Sequence, residues 1–347
     1  MRAALLALAV VLPVVAPLRS NAATPLGVRQ AEQDEKVEKG KAPCRRLRPS
    51  TDPGLQKLLA AYDFTEREFE WQLRETRQGE KVVQYWLSFP SAVKTEVPEN
   101  NTVWCRFWQP KDGAKRRPAA VLLHWLGGNF ETLEIVGTRL AEQGIATLML
   151  YMPGYGPRRP KGSPARKPTN QDMDAMIATM KQAVLDVRRA GDWLACRPDV
   201  EPSRIGLVGI SLGAVIGSLS AGIDDRFGRS VFLIGGGDLP AIVMNGSKET
   251  AAAKERLLKE GYSVDQLRGM WKDVDPITYA SRVRPEEILL INAETDEVIP
   301  KECTLRLREA MGSPEIRWFK GGHYALLFQL GKALKDISTH LTQRTEW

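Results

Sequence analysis

The chain has 347 residues, 43% of them apolar, which is enough to bury the core of one large domain or two small ones. Lys and Arg number 49 against 42 acidic residues, a net charge of +7. Loss of Arg2 and Arg19 with the N-terminal segment described next would leave 7 − 2 = +5. Because no basic stripe or reader motif accompanies this mild excess, the composition argues against nucleic acid as a partner.

Residues 1–22 have the features of a secretory signal peptide. Arg2 precedes an apolar run from Ala3 to Ala16, and Ser20-Asn21-Ala22 is a small-x-small site suited to signal peptidase. The run is short for a bilayer span and contains a proline. We therefore expect a secreted or periplasmic protein without stable membrane insertion. The alternative is an anchor that is not cleaved.

The next segments are predicted to be a leader and a helix. Residues 23–51 are polar and charged, which favours a flexible leader. Asp52 suits a helix N-cap and Pro53 the first helical turn. Thr65 and Glu68 have the spacing of a capping box. Residues 52–79 are therefore predicted to form an N-terminal helical segment.

The remaining chain, residues 80–347, alternates strand-like and helix-like patterns. Val82–Phe89 and Thr102–Trp108 alternate apolar and polar residues, as antiparallel edge strands do. Short apolar runs typical of strands buried on both faces are Ala119–His124, Ile145–Tyr151, Ile205–Ile210, Val231–Ile234 and Ile288–Ile291. Helical patterns between them are Glu131–Gln143, Gln171–Ala195, Leu212–Ile223 and Cys303–Met311. The alternation predicts an α/β fold with a mostly parallel central sheet and helices on both faces. Residues 238–284 are predicted to be a lid-like insertion, with a helix near Lys248–Lys259.

The strongest motif for chemistry is Gly209-Ile210-Ser211-Leu212-Gly213, which matches G-x-S-x-G. A buried strand precedes it and a helix of small residues follows it. Such a tight turn needs glycine where the backbone crowds, and it lifts the serine hydroxyl above the sheet. The pattern therefore predicts that Ser211 is a nucleophile.

A serine nucleophile needs a base and an orienting acid. The chain has three histidines. His323 follows two glycines in a C-terminal loop, whereas His340 is expected to be structural. Asp296 follows a buried strand, and the order Ser211, Asp296, His323 is the one found with this turn. Rival acids are Glu294, Glu297 and Asp238.

The oxyanion of such a reaction needs two N–H donors. The N–H of Leu212, the residue after the nucleophile, is the first candidate. The N–H of Leu126, in the turn after Ala119–His124, is the second. His124 is then expected to shape this loop, and the alternative is a simple strand-to-helix turn.

The chain resembles α/β-hydrolase-fold serine esterases, and it is similar to the dienelactone hydrolase, acetyl xylan esterase and prolyl-oligopeptidase-like group. The resemblance covers residues 80–345 and includes Asp192–Val200, Arg204–Gly209 and Asp275–Ala280. Trp125 stands where these proteins usually carry glycine. The resemblance implies an α/β-hydrolase fold and cleavage of carboxylic esters through an acyl-enzyme. It requires neither a metal nor an organic cofactor. The substrate is expected to be a small-molecule or polysaccharide-linked ester.

Rival functions use the same residues differently. A peptidase or thioesterase needs the same triad, and a non-catalytic binding protein can share the scaffold. Trp125, Tyr155 and Arg158 are predicted to contact substrate. Arg158 belongs to a basic loop, residues 152–170, that is expected either to attract acidic substrates or simply to be solvated.

The four cysteines are Cys44, Cys105, Cys196 and Cys303. In an exported protein they permit three disulfide pairings, and the alternative is buried free thiols.

Overall fold

The computed structural model describes residues 36–128, 130–162 and 173–343. The predicted signal peptide, the first part of the predicted leader, and Arg166 and Lys167 of the basic loop lie outside these residues.

A sheet of ten strands forms the centre of the described chain, in the order β1-β2-β3-β4-β6-β5-β7-β8-β9-β10. Strands β1 to β4 pair antiparallel, and β4 also pairs antiparallel with β6. In the remaining part of the sheet, β6-β5-β7-β8-β9-β10, every pair of neighbouring strands is parallel. The strands are β1 Val37–Pro43, β2 Glu68–Gln78, β3 Val82–Pro90, β4 Thr102–Pro110, β5 Arg117–Leu123, β6 Ala146–Leu150, β7 Val200–Ile210, β8 Ser230–Leu233, β9 Ile288–Ala293 and β10 Glu315–Phe319.

Helices cover both faces of this sheet. They are α1 Pro53–Leu59, α2 Phe130–Glu142, α3 Met173–Ala195, α4 Leu212–Ile223, α5 Leu239–Asn245, α6 Ala251–Lys259, α7 Val264–Trp271, α8 Pro276–Tyr279, α9 Lys301–Ala310 and α10 Leu330–Thr342. Helices α2 and α10 contribute to one core, and α3, α4 and α9 to the other. The prediction of a mostly parallel sheet between two helical layers is confirmed.

The apolar run of β5 is explained by these two cores. Ala119, Val121 and Leu123 lie in one core, and Ala120 and Leu122 lie in the other. Successive side chains of a strand point to opposite faces of the sheet, so a strand covered on both sides is apolar throughout. Strands β6, β8 and β9 and residues Ile205–Ile210 of β7 are buried in the same way. Because these strands pair parallel, their carboxyl ends lie along one edge of the sheet.

The N-terminal part of the sheet differs from the prediction. Strand β1 lies within the segment predicted to be a flexible leader, and β2 lies within the predicted helical segment. In β2 the side chains of Phe69 and Leu73 are buried and Trp71 is partly buried, which is the two-residue period of a strand. Phe69 and Leu73 are four positions apart, so by themselves they also fit one face of a helix. The partly buried Trp71 between them is the residue that distinguishes a strand from a helix here. Thr65 donates to Glu66 and does not form a capping box.

Two further boundaries need correction. Strands β3 and β4 are antiparallel as predicted, but they are interior strands because β1 and β2 lie outside them. The compact unit therefore begins at Lys36 rather than at residue 80. Of the predicted helical segment, Pro53–Leu59 is an α-helix, with the Asp52 side chain accepting from the Leu55 N–H.

All four cysteines are free thiols in the structure. Cys105 and Cys303 are buried, whereas Cys196 is exposed. Among the described residues, no helix is long and apolar enough to cross a membrane.

Candidate active site

Ser211 lies at the sharp turn between β7 and α4. Its φ of 54° and ψ of −114° lie outside the regions that non-glycine residues ordinarily adopt. A strained residue of this kind persists only where its surroundings fix it, and the Ser211 N–H donates to the Leu233 carbonyl at 2.9 Å. The turn places the hydroxyl at the carboxyl edge of the parallel sheet, beside the N-terminus of α4.

The two glycines of the motif are required by close backbone contacts. A Cβ on Gly209 would lie 2.2 Å from the Gly213 carbonyl oxygen. A Cβ on Gly213 would lie 2.3 Å from the Leu123 carbonyl oxygen and 2.8 Å from that of His124. The first turn of α4 therefore lies directly against the end of β5.

His323 links Ser211 to Asp296. The Ser211 Oγ lies 2.9 Å from His323 Nε2, and His323 Nδ1 lies 2.9 and 2.8 Å from the two carboxylate oxygens of Asp296. A carboxylate only accepts hydrogen bonds, so Nδ1 carries the proton and Nε2 accepts from the serine hydroxyl. Ser211 and His323 are 7% and 6% exposed, which shields this chain of hydrogen bonds from water.

The Asp296 carboxylate is itself held by backbone donors. Its Oδ1 accepts from the N–H groups of Val298 and Ile299, both at 2.9 Å. The side chain is 2% exposed. These bonds aim the carboxylate at the imidazole.

The rival acids have other positions. Asp238 caps α5 and binds the guanidinium groups of Arg268 and Arg306. The Glu294 side chain is exposed on the loop after β9. Of the four candidate acids, the structure brings only Asp296 to the imidazole of His323.

Glu297 contacts the backbone of His323 rather than its ring. Its Oε2 accepts the His323 N–H at 3.0 Å, and its Oε1 binds the Lys248 ammonium. The hydrogen bond to Lys248 is the main cause that lowers the pKa of Glu297 to about 2. The sequence indicates Glu297 only as a rival acid. No local pattern indicates that Lys248 approaches it.

His124 shapes the loop after β5. Its Nε2 accepts from the Met152 N–H at 3.1 Å, so Nδ1 carries the proton and donates to the Trp125 carbonyl at 3.0 Å. Complete burial lowers the pKa of His124 to about 4. Because both ring nitrogens of His124 are hydrogen-bonded to the backbone, neither is available to act as a base. This agrees with the prediction that His124 shapes the loop.

Leu126 and Leu212 lie on the two segments that Gly213 brings together. Leu212 is the first residue of α4, and the first N–H groups of a helix have no acceptor within it. Leu126 is partly buried in the turn closed by the Gly128 N–H donating to the Trp125 carbonyl at 3.2 Å. Donation of either N–H to an oxyanion stays a prediction.

Two of the three residues predicted to contact substrate, Trp125 and Tyr155, lie close to the loop after β5. Trp125 is partly buried and lies against the core formed by α2 and α10. Tyr155 is 8% exposed, and its ring centroid lies 4.5 Å from that of His124. Burial raises the pKa of Tyr155 to about 12. Trp125 therefore lies in the loop after β5, and Tyr155 packs against His124 of that loop. Contact of either residue with substrate stays a prediction.

The prediction for Arg158 is wrong. Its side chain is completely buried and pairs at 2.8 Å with Asp186, which is also completely buried. It also donates to the carbonyls of Tyr151 and Asn100, at 3.0 and 2.7 Å. A guanidinium with these partners and no exposed surface holds the segment after β6 against α3 and is closed to substrate. Arg159 is partly buried and Lys161 is exposed.

The described residues contain no group of His, Cys, Asp or Glu side chains suited to hold a metal ion.

Sequence and structure comparisons give a consistent classification. Residues 54–235, more than half of the chain, match the model of the family described as alpha/beta hydrolase domain containing 18. Two uncharacterized proteins of Mycobacterium tuberculosis, from strains CDC 1551 / Oshkosh and ATCC 25618 / H37Rv, are each 31% identical to the chain over 186 residues. These alignments cover 52% of this chain and 43% of each relative, so the chain spans less than half the length of the curated relatives it matches.

Similar solved structures include esterases. The acetyl xylan esterase of Paenibacillus sp. R4 has a TM-score of 0.62 at 20% identity, covering 85% of this chain and 96% of the esterase. Acetyl xylan esterase 1 of Thermoanaerobacterium sp. JW/SL YS485 has a TM-score of 0.60 at 16% identity, with coverages of 87% and 97%. At these identities the likeness establishes the fold alone. With the match over residues 54–235, the chain belongs to the alpha/beta hydrolase family described as alpha/beta hydrolase domain containing 18.

Proposed function

We propose that the protein is a serine hydrolase that cleaves carboxylic esters through an acyl-enzyme. The observation that carries this proposal is the chain of hydrogen bonds from the strained Ser211 through His323 to the anchored Asp296. A serine hydroxyl is a weak nucleophile until a base accepts its proton, and this arrangement supplies the base in the required tautomer.

The first half of the proposed reaction forms the acyl-enzyme. Ser211 Oγ attacks the ester carbonyl carbon while His323 Nε2 takes the hydroxyl proton. Asp296 stabilises the imidazolium that forms. The carbonyl oxygen becomes an oxyanion, which the N–H groups of Leu212 and Leu126 stabilise. His323 then gives the proton to the leaving alcohol as the C–O bond breaks.

The second half repeats this chemistry with water. His323 takes a proton from water, the hydroxide attacks the acyl carbon, and Ser211 leaves with the proton returned by His323. Both protons therefore pass through one nitrogen atom. The hydrogen bonds to Asp296 keep that nitrogen directed at Ser211 throughout.

The substrate we propose is a small-molecule or polysaccharide-linked ester. Acetyl xylan esterases stand among the structural neighbours, which makes acetyl esters the first class to test. We also propose that the protein is exported, on the strength of Arg2, the apolar run Ala3–Ala16 and Ser20-Asn21-Ala22. N-terminal sequencing of the protein from its natural host tests export, and an intact residue 1 would contradict cleavage.

A substrate panel with one acyl group tests the reaction class. We expect turnover of acetyl and butyryl p-nitrophenyl esters, and slower cleavage of the matching anilide. Faster cleavage of the anilide or of a matching thioester would instead favour a peptidase or thioesterase. No turnover of any of them would favour a binding protein.

Ser218, in the helix that follows Ser211, provides a matched control for substitution of Ser211. Ser218 is buried in α4 and its hydroxyl donates to the Ala214 carbonyl at 2.6 Å. Ser218→Ala should keep its ester activity, whereas Ser211→Ala should lose several powers of ten in kcat. Equal loss in both variants would mean that the helix, not the Ser211 hydroxyl, matters.

A further inference from the structure

The loop that carries His323 is held at its backbone as well as at its ring. Glu297 accepts the His323 N–H at 3.0 Å, and a Cβ on Gly322 would lie 2.2 Å from the same carboxylate oxygen. Gly321, one residue earlier, has a φ of 112°. Two successive glycines make this loop flexible in isolation, so its position depends on such contacts.

The predicted lid-like insertion supplies the contacts that hold Glu297 and Tyr324. The name "insertion clamp" is used here for Ser247, Lys248 and Glu249. The N–H and hydroxyl of Ser247 donate to the Glu297 carbonyl at 2.9 and 2.7 Å. Lys248 pairs with the Glu297 carboxylate, and Glu249 accepts from the Tyr324 hydroxyl. The insertion clamp therefore contacts one residue that binds His323 and another that follows it in the chain.

The backbone of the insertion clamp is strained. Lys248 has a φ of 57°, in the left-handed region that costs roughly 1–2 kcal/mol for a residue with a Cβ. Its ammonium lies 5.0 Å from the centroid of the Tyr324 ring. Strain of this kind persists where the surroundings require the conformation, and it clusters at functional sites.

Thermal stability alone does not account for this arrangement. The side chains of Lys248 and Glu297 are 51% and 30% exposed, and exposed ion pairs contribute about 0–1 kcal/mol. Position is more sensitive, because a displacement of about 1 Å in a catalytic group can cost on the order of 10²-fold in rate. The contacts matter more for where His323 lies than for whether the chain folds.

We propose that Glu297 and the insertion clamp are positioning residues for His323, and that they couple the insertion to the catalytic base. This inference rests on the proposed function. Asp296 sets the orientation of the imidazole ring, and Glu297 sets the place of the backbone that carries it. Movement of the insertion away from the loop breaks the Lys248 and Ser247 contacts and frees the backbone of His323.

Variants of Glu297 test the proposal with kcat and KM measured separately on p-nitrophenyl acetate. Glu297→Ala should lower kcat about 10- to 100-fold, with KM changed less than about twofold, because only the base is displaced. Glu297→Gln keeps an oxygen for the His323 N–H and should recover most of that loss. The Tm of both variants should stay within about 2 °C of wild type, which corresponds to roughly 1 kcal/mol or less in a domain of this size.

Two further variants complete the design. Glu294→Ala, an exposed carboxylate on the same loop, should leave kcat unchanged. Lys248→Met should lower kcat about two- to tenfold at constant KM, since it removes one of the contacts that fix Glu297. If Glu297→Ala does not fold, Glu297→Gln and Lys248→Met decide the matter, and wild-type kcat in Lys248→Met overturns the proposal.

The failure of this inference is distinguishable from the failure of the proposed function. Wild-type kcat in a folded Glu297→Ala variant overturns the positioning role and leaves the triad untouched. No recovery in Glu297→Gln, together with a fall in Tm matching that of Glu297→Ala, also overturns it in favour of a structural role. A wild-type protein that neither turns over esters nor reacts with a fluorophosphonate overturns both.

Discussion

Arg158 and Asp186 form an ion pair in which both side chains are completely buried, with 2.8 Å between a guanidinium nitrogen and a carboxylate oxygen. Burial raises the pKa of Asp186, and the Ser91 hydroxyl at 2.7 Å gives it a second partner. The pair joins the segment after β6 to helix α3. Arg158, which the sequence predicts to contact substrate, therefore stabilises the packing of two buried segments instead.

Arg158→Met should destabilise the protein by about 3–5 kcal/mol, because it leaves the Asp186 carboxylate buried without its cation. Arg159→Gln, one residue along and partly exposed, should change the free energy of unfolding by less than about 0.5 kcal/mol. Urea denaturation of the three proteins gives the comparison. Equal stability of Arg158→Met and wild type would show that the buried Asp186 carboxyl does not need the Arg158 cation, and would contradict the prediction.

The sequence patterns predicted the central sheet well and its N-terminal strands poorly. Strands such as β5 are covered on both faces, so their apolar runs carry the information themselves. Strand β1 has few apolar residues, and it is held mainly by backbone hydrogen bonds to β2. Backbone pairing leaves little trace in side-chain composition, which explains why this segment was predicted to be a leader.

The candidate site, like the sheet, was predictable only in part from the sequence. Ser211, Asp296 and His323 follow from a motif, a chain order and the scarcity of histidine, and the structure brings their side chains together. Burial of Arg158 depends on a partner 28 positions away on α3, for which the local sequence has no signal. Contacts between distant segments, such as that of Lys248 with Glu297, are equally invisible to local patterns.

Gly213→Ala should be strongly destabilising and should also abolish ester hydrolysis. Its Cβ would lie 2.3 Å from the Leu123 carbonyl oxygen, so either α4 or the end of β5 must shift. Gly269 in α7 is the matched control, since no heavy atom lies within 4 Å of its added Cβ. Gly269→Ala should stabilise the protein by about 0.4–1 kcal/mol. Chemical denaturation measures both, and a Gly213→Ala protein of wild-type stability would contradict the close contact.

His124 should make the protein less stable in mild acid. Its pKa of about 4 lies below the unfolded value of about 6.5, so the unfolded chain binds a proton first as pH falls. Its contribution is complete above pH ~6.5 and is lost progressively down to pH ~4, to a total of about 3 kcal/mol. His124→Gln keeps an acceptor for the Met152 N–H but does not titrate.

Urea denaturation at several pH values between 4 and 7.5 isolates this effect. We expect the free energy of unfolding to fall less steeply with acid in His124→Gln than in wild type. Because burial also lowers the pKa of His340, the difference between the two proteins is the relevant quantity. Parallel pH profiles would show that folding does not lower the pKa of His124, and would contradict the prediction.

Asp296→Asn should lower kcat on the order of 10⁴-fold, because an amide favours the wrong tautomer of His323. Asp238→Asn should lower stability instead, since Asp238 binds the guanidinium groups of Arg268 and Arg306. Steady-state kinetics and thermal unfolding of both variants separate the two effects. A larger kinetic loss in Asp238→Asn would move the orienting acid to the loop after β8.

Reaction with a fluorophosphonate probe, followed by mass spectrometry of the tryptic peptides, tests the nucleophile most directly. We expect one covalent adduct located on Ser211, its loss in Ser211→Ala, and its retention in Ser218→Ala. The labelling rate should fall several powers of ten in His323→Ala, because the hydroxyl then lacks its base. An adduct on another residue, or undiminished labelling of a folded Ser211→Ala protein, would contradict the assignment of Ser211 as the nucleophile.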